Sequence, residues 1–294
     1  MGTIARQAVP PLNALVTGGN RGLGLEVVKL ILAHAPGSRV FMGCRNVQAG
    51  SSVAAEISRT LAAGSVTPVH LDVKSDESVS AAVARVRAEV PHLDLVCNNA
   101  GILHESFSVQ SAAETMQTNF DGAIRVTTAF LPMVRDGGSI LFTSSGMGAR
   151  TLGLVSPEHR EALLSPTLGT QELCRMLAQM VNELGSNPAH PYHAIPTVDY
   201  GISKMGVNLY AQMLARQYNT LFVNAVSPGF TNTGMCANYT GTRVPKEVPL
   251  GASVFAQVLF TELGRGRTGT FFKEASKPGT PLEQAKSVID PWVQ

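Results

Sequence analysis

The stretch YGISK sets Tyr200 four residues ahead of Lys204. On a helix that spacing places both side chains on one face. A phenol titrates near 10, too high for ready proton exchange at neutral pH, and a nearby ammonium lowers that value by stabilising the phenolate. The pair could therefore be a catalytic one. In a chain with five tyrosines and seven lysines it could also be chance, so the spacing needs independent support.

A second stretch with chemical potential is TGGNRGLG, Thr17 to Gly24. Gly18, Gly22 and Gly24 would allow a tight turn and close backbone approach, and a helix starting there would turn its positive end toward a pyrophosphate. The spacing is G-x-x-x-G-x-G rather than G-x-G-x-x-G, and a plain turn would satisfy it too.

The surrounding pattern decides what these residues belong to. LNALVTGG (12–19) is an apolar run ending in glycine, and 22–35 has apolar residues at helical spacing. Strands are expected at 39–44, 66–73, 93–99 and 138–145, alternating with helices at 47–63, 76–89 and 111–134. An irregular stretch follows, then a helix at 200–217, a strand at 221–229, a helix at 249–262 and a final strand at 269–273. Most of these strands are too apolar to have a wet face, which predicts a parallel sheet covered on both sides. We expect an α/β fold, a single doubly wound Rossmann-type domain over 12–294 behind a flexible N-terminal arm, 1–11.

Composition narrows the partners. With 44% hydrophobic and 15% charged positions, 294 residues can bury a large core, and a net charge of +2 without a basic run argues against nucleic acid. Cys44, Cys97, Cys174 and Cys236 are widely spaced, without a zinc-like pattern, and read as reduced thiols of a cytoplasmic protein. No apolar stretch reaches the length of a membrane span. The Met-Gly opening has Arg6 where a myristoylation signal prefers Ser or Thr.

The residue type after the second strand bears on a nucleotide ligand. A carboxylate there would grip an adenosine 2′-hydroxyl and repel a 2′-phosphate. The strand ends instead in Cys44-Arg45, and Arg21 lies in the glycine loop. Two guanidiniums able to converge on a phosphate favour NADP(H) over NAD(H), although either arginine could be a solvated surface charge.

With TGGNRGLG, NNAG (98–101), TSS (143–145), YGISK and SPGFTNT (227–233) in order, the chain resembles the short-chain dehydrogenase/reductase superfamily over about 12–273. The resemblance implies an oxidoreductase with a nicotinamide cofactor. It implies cofactor contacts from Gly18, Asn20, Arg21, Gly22, Leu23, Gly24, Arg45, Asp72 at the end of strand three, Asn99, Ala100, Gly101, Pro228, Gly229, Thr231 and Thr233. It also implies a catalytic set of Asn119, Ser145, Tyr200 and Lys204. Ser145 is preferred to Ser144 because Gly148 follows it by three. In that set Tyr200 is the acid, Lys204 lowers its pKa and holds the nicotinamide ribose, Ser145 polarises the substrate oxygen, and Asn119 holds a water in the proton path.

Ser145 and Tyr200 are 55 residues apart, far more than in most of that superfamily. The insertion, about 150–197, contains a helical pattern at Leu173, Met176, Leu177, Met180 and Val181. Such an insertion makes the chain resemble most the monomeric NADPH-dependent carbonyl reductases, which implies a monomer acting on small carbonyl substrates. His190 and His193 lie near the expected mouth and read as loop residues. Two other readings share these motifs: an oxidative alcohol or steroid dehydrogenase, and a non-catalytic NADP(H)-sensing protein.

Overall fold

In β1 (Asn13–Thr17), Ala14 and Val16 join one buried cluster and Leu15 another. The alternation continues in β4 (Leu93–Asn98), where Leu95 and Cys97 go with Ala14 and Val96 goes with Leu15. In β5 (Val134–Thr143) and β6 (Phe222–Ser227), Ile140, Phe142, Val223 and Ala225 face one way and Leu141 and Val226 the other. A sheet that is apolar on both faces must be covered twice, which is why these strands read as continuous apolar runs.

The computed structural model shows both covers and describes residues 9–104, 106–187, 189–194, 197–237, 239–278, 280 and 286–289. On one face lie α1 (Gly22–His34), α2 (Val47–Leu61) and α10 (Val248–Phe260), which bury Ile31, Ile57 and Phe255. The other face carries α3 (Asp76–Arg87), α4 (Val109–Met116), α5 (Gly122–Phe130) and α9 (Val198–Gln217). With β2 (Ser38–Cys44), β3 (Gly64–His70), β7 (Phe271–Glu274) and β8 (Ser287–Ile289), the sheet order is β3-β2-β1-β4-β5-β6-β7-β8. Strand order reverses between β1 and β4, and the crevice at their carboxyl ends is where doubly wound sheets bind ligands.

Several expectations need correction. The sheet is parallel from β3 to β7, but β8 joins β7 antiparallel; three residues were too few to signal a strand. β3 stops at His70, so Asp72 lies past its end: its N–H goes to Ser78 Oγ and its Oδ1 accepts the Lys74 N–H, a turn rather than a ladder. The expected helix 111–134 is broken by a π turn, Gln117–Asp121, and ends in a 3₁₀ turn, Leu131–Met133. The irregular stretch after β5 holds α6 (Gly146–Leu154) and α7 (Pro157–Leu164) before α8 (Thr170–Ser186). Three glycines hid α6; the SPTLG segment, Ser165 to Gly169, separates α7 from α8.

The insertion is packed directly on α9. A Cβ on Gly206 would lie 2.5 Å from Leu177 Cδ1 of α8 and 2.8 Å from Phe120 Cδ2. Gly206 therefore admits both side chains onto the buried helix. Residues 1–8 of the expected N-terminal arm lie outside the described residues. Among the described residues, no helix is long and apolar enough to cross a membrane.

Candidate active site

The glycine loop follows β1 with Gly18 at φ 63° and Gly22 at φ 54°, left-handed conformations that glycine adopts freely. Gly24 is needed for a different reason: its Cβ would sit 2.3 Å from Gly18 O and 2.5 Å from Asn99 Nδ2. The first turn of α1 can close onto the end of β1 only without that carbon. Asn20 and Leu23 are half-buried, while Arg21 is exposed at the N-cap of α1 and makes no capping bond.

Thr17 and Asn99 join the two strands at the reversal point. Thr17 Oγ1 accepts from the N–H groups of Asn99 and Ala100, each at 2.9 Å. Asn99 Nδ2 donates to Thr17 O at 3.0 Å and, more weakly, to Gly18 O at 3.4 Å. Asn98 instead donates to Thr127 Oγ1 at 2.8 Å, so of the NNAG pair one residue braces α5 and the other the glycine loop.

The neighbouring strand end carries Arg45, exposed, with Asn46 capping α2 through the Ala49 N–H at 2.9 Å. Because Thr17 is in register with Gly43, Arg21 and Arg45 leave from adjacent strand ends. No carboxylate stands between them in Gly43-Cys44-Arg45-Asn46. At the far side, Gly229 has φ 74° and the chain returns over the glycine loop: a Cβ on Gly22 would lie 3.5 Å from Thr233 Cγ2. Thr231 Oγ1 donates to Pro228 O at 3.2 Å, and Thr233 Oγ1 accepts the Met235 N–H at 3.3 Å.

The four residues of the expected catalytic set come from three elements, the π turn, the start of α6 and α9, and converge. Ser145, the N-cap of α6, accepts the Met147 N–H at 3.2 Å and lies near enough to the Tyr200 phenol to favour its ionised form. Ser144 is buried and donates to Lys204 O at 3.3 Å, which leaves it no access to a substrate. Lys204, 3% exposed, donates from Nζ to Thr143 O at 2.7 Å and lies 5.5 Å from the centre of the Tyr200 ring. Thr143 Oγ1 in turn donates to Asn99 Oδ1 at 3.2 Å. The ammonium is thus connected through β5 to the glycine loop.

Asn119 sits in the π turn, a feature often found at functional sites. Its Oδ1 accepts the Ile102 N–H at 2.8 Å, and its Nδ2 donates to Ile102 O at 2.9 Å and to Ser203 Oγ at 3.1 Å. Both amide hydrogens are therefore committed to structure. A water at Asn119 is left its main chain or one lone pair of Oδ1.

Burial sets the electrostatics. It pushes the Tyr200 phenol up to about 12, against the Ser145 hydroxyl, which lowers it; the neighbouring Cys236 adds to the rise. It pulls the Lys204 ammonium down to about 8. With no other charge supplied, each group is held toward its neutral form. His190 and His193 are not part of this arrangement: His190 Nδ1 accepts the Tyr192 N–H at 3.2 Å, and His193 Nε2 pairs with Leu184 O at 2.9 Å.

Sequence reasoning missed Thr17, Thr143 and Cys236. Thr143 acts on Lys204 through its carbonyl, which carries no side-chain signal; Cys236 follows Thr233 by three on a 3₁₀ turn that no periodicity announced. Among the described residues no cluster of histidine, cysteine or carboxylate could hold a metal ion.

Residues 12–157 match a family model described as short chain dehydrogenase. The chain is 32% identical over 246 residues to human carbonyl reductase (NADPH) 1, covering 80% of this chain and 86% of that protein. It is 30% identical over 296 residues to the Sus scrofa protein of the same name, covering 95% and 97%. Among solved structures it is similar to salutaridine reductase from Papaver somniferum, with TM-score 0.74 and 24% identity over 88% of this chain and 99% of that one. A short chain dehydrogenase from Burkholderia cenocepacia in complex with NADP gives TM-score 0.67 and 22% identity over 93% and 98%.

The α6–α9 contact is what brings Ser145 to Tyr200. A Cβ on Gly148 would meet the backbone of Lys204 and Met205 at 2.6–2.7 Å, whereas one on Gly153, in the same helix, meets nothing within 4 Å. Gly148→Ala is expected to destabilise the protein by about 1–3 kcal/mol through overpacking. Gly153→Ala is expected to stabilise it by up to about 1 kcal/mol through helix propensity. Urea denaturation midpoints check both signs.

Proposed function

The chain belongs to the short-chain dehydrogenase family, and from that premise we propose that it is an NADPH-dependent carbonyl reductase converting aldehydes, ketones or quinones to alcohols. The observation that carries this reading is the connected set Ser145–Tyr200–Lys204–Thr143–Asn99, which ties a proton donor to a glycine loop built for a pyrophosphate. Its likeness to the carbonyl reductases supports the same assignment.

The residues fit an NADP(H) cofactor. Gly18, Asn20, Gly22, Leu23 and Gly24 would hold the pyrophosphate at the start of α1, and Arg21 and Arg45 the 2′-phosphate, where a carboxylate would have repelled it. Asp72, just past β3, would contact the adenine, with Asn99, Ala100 and Gly101 lining the ribose side. Lys204 would hold the nicotinamide ribose, and Pro228, Gly229, Thr231 and Thr233 would close over the nicotinamide. When bound, the reduced nicotinamide supplies a hydride.

The chain's own groups supply the proton and the orientation. The Ser145 hydroxyl lies beside the Tyr200 phenol, so both hydroxyls can meet one substrate oxygen. Tyr200, protonated at neutral pH, donates to that oxygen as charge develops on it. The Lys204 ammonium stabilises the phenolate left behind. Thr143 and Asn119 hold the geometry, the first through Lys204 and the second through Ser203 on the same helix. A sensor without catalysis would have no use for this acid.

The segment 235–248 and the insertion would shape the substrate mouth, with Met235, Tyr239 and Val244 offering exposed apolar surface. The cover that α8 gives to α9 supports a monomer, and the free thiols of all four cysteines fit a cytoplasmic protein.

The test is NADPH oxidation across aldehydes, diketones, quinones and steroids. Tyr200→Phe should reduce turnover by at least about a hundredfold while NADPH affinity stays within about twofold; substantial retained reductase activity would remove the assigned acid. The pH profile follows from Lys204: below about 8 its ammonium is charged and can stabilise the phenolate, and above it that charge is lost. Reductive kcat/KM should therefore be flat near neutrality and fall as pH rises through about 8. A rate that climbs through that range would contradict the role.

A further inference from the structure

Two side-chain bonds of identical offset tie the α4–π-turn segment to α9. Asn119 Nδ2 donates to Ser203 Oγ at 3.1 Å; four residues earlier on both elements, Thr115 Oγ1 donates to Asp199 Oδ2 at 3.3 Å. They are parallel rungs one helical turn apart, and all four residues are at most 1% exposed. The lower rung steadies Ser203, beside Lys204. The upper one acts on the residue immediately before Tyr200.

The upper rung is an expensive device if it only fills space. Asp199 is a buried acid whose Oδ1 has no hydrogen-bond partner and which makes no ion pair among the described residues. Its place in the first turn of α9 sets it near the positive end of the helix dipole, which offsets part of that cost. The helix start has no side-chain cap: Thr197, the N-cap, is left-handed at φ 56° and makes no capping bond, so the turn is held by this rung together with the packing of Val198 and of Gly201 on Thr151. Lys204, a turn deeper, is held independently by Thr143 O.

We infer that Thr115 and Asp199 are a positioning pair for Tyr200, a buried rung that fixes the first turn of α9 so that the phenol stays opposite Ser145. Cofactor binding is spared when the rung is lost, because the glycine loop is anchored separately through Thr17 and Asn99. This role rests on the reductase reading above.

Thr115→Val and Asp199→Ala should each lower kcat on the order of tenfold, with KM and Kd for NADPH unchanged, since small misplacements of reacting groups cost rate rather than affinity. Thr115→Ser and Asp199→Asn keep a donor and an acceptor and should recover most of the rate. The double variant Thr115→Val/Asp199→Ala should be no slower than the slower single one, because one bond is lost once. Multiplying losses, NADPH affinity falling in step with kcat, or unchanged kcat in both single variants would overturn the inference. Amide hydrogen exchange gives a readout that needs no turnover and no Asp199 variant. The first turn of α9 should exchange faster in Thr115→Val than in the unaltered chain and return to normal in Thr115→Ser, and equal exchange in all three sinks the pair. If the unaltered chain reduces no carbonyl, the reductase reading fails while this exchange test still judges the rung.

Discussion

The Lys204 ammonium is buried with a main-chain carbonyl, Thr143 O, as its hydrogen-bond acceptor at 2.7 Å, and the cleft is organised around that contact. Desolvation penalises the charge, and the carbonyl offsets only part of the loss, which is why the ammonium is held down at about 8. A group in that state is poised: a phenolate beside it would restore a favourable partner. Thr143 is also the residue through which β5 reaches Asn99, and Asn99 braces the glycine loop at Thr17. The Tyr200–Lys204 pair and the glycine loop are therefore positioned by one short relay across the strand ends.

Helix packing supports the relay from behind. α9 is buried along most of its length, because α6 lies against it through Gly148 and Gly201 and α8 through Gly206. At Gly201 a Cβ would fall 2.2 Å from Thr151 Oγ1. These positions exchange side-chain volume for proximity, so that the serine at the start of α6 comes beside the tyrosine of α9. The π turn in the opposite wall does comparable work by placing Asn119 where its amide can hold both Ile102 and Ser203.

The sheet was legible in the sequence because its strands are apolar on both faces and alternate with helices of clear period. The glycine loop was legible because left-handed residues and close backbone approach have few solutions other than glycine. The Tyr200–Lys204 pair could be found by spacing, whereas Ser145 and Asn119 needed the ordered motifs around them. What escaped was of a different kind. Thr143 contributes a carbonyl, which no residue type advertises. The π turn around Asn119 interrupts a run whose apolar spacing remains helical. α6 carries three glycines that lower its propensity, yet one of them is the reason it packs where it does. Asp199 is written in the sequence as one acid before a tyrosine, and nothing in that pattern announces its burial.

The most direct measurement is a crystal structure of the protein with NADP⁺. The nicotinamide ribose is expected within hydrogen-bonding distance of Lys204 Nζ, with the Thr143–Asn99 contact preserved and the 2′-phosphate between Arg21 and Arg45. A cofactor bound with its ribose away from Lys204, or with its 2′-phosphate touching neither arginine, would contradict that arrangement.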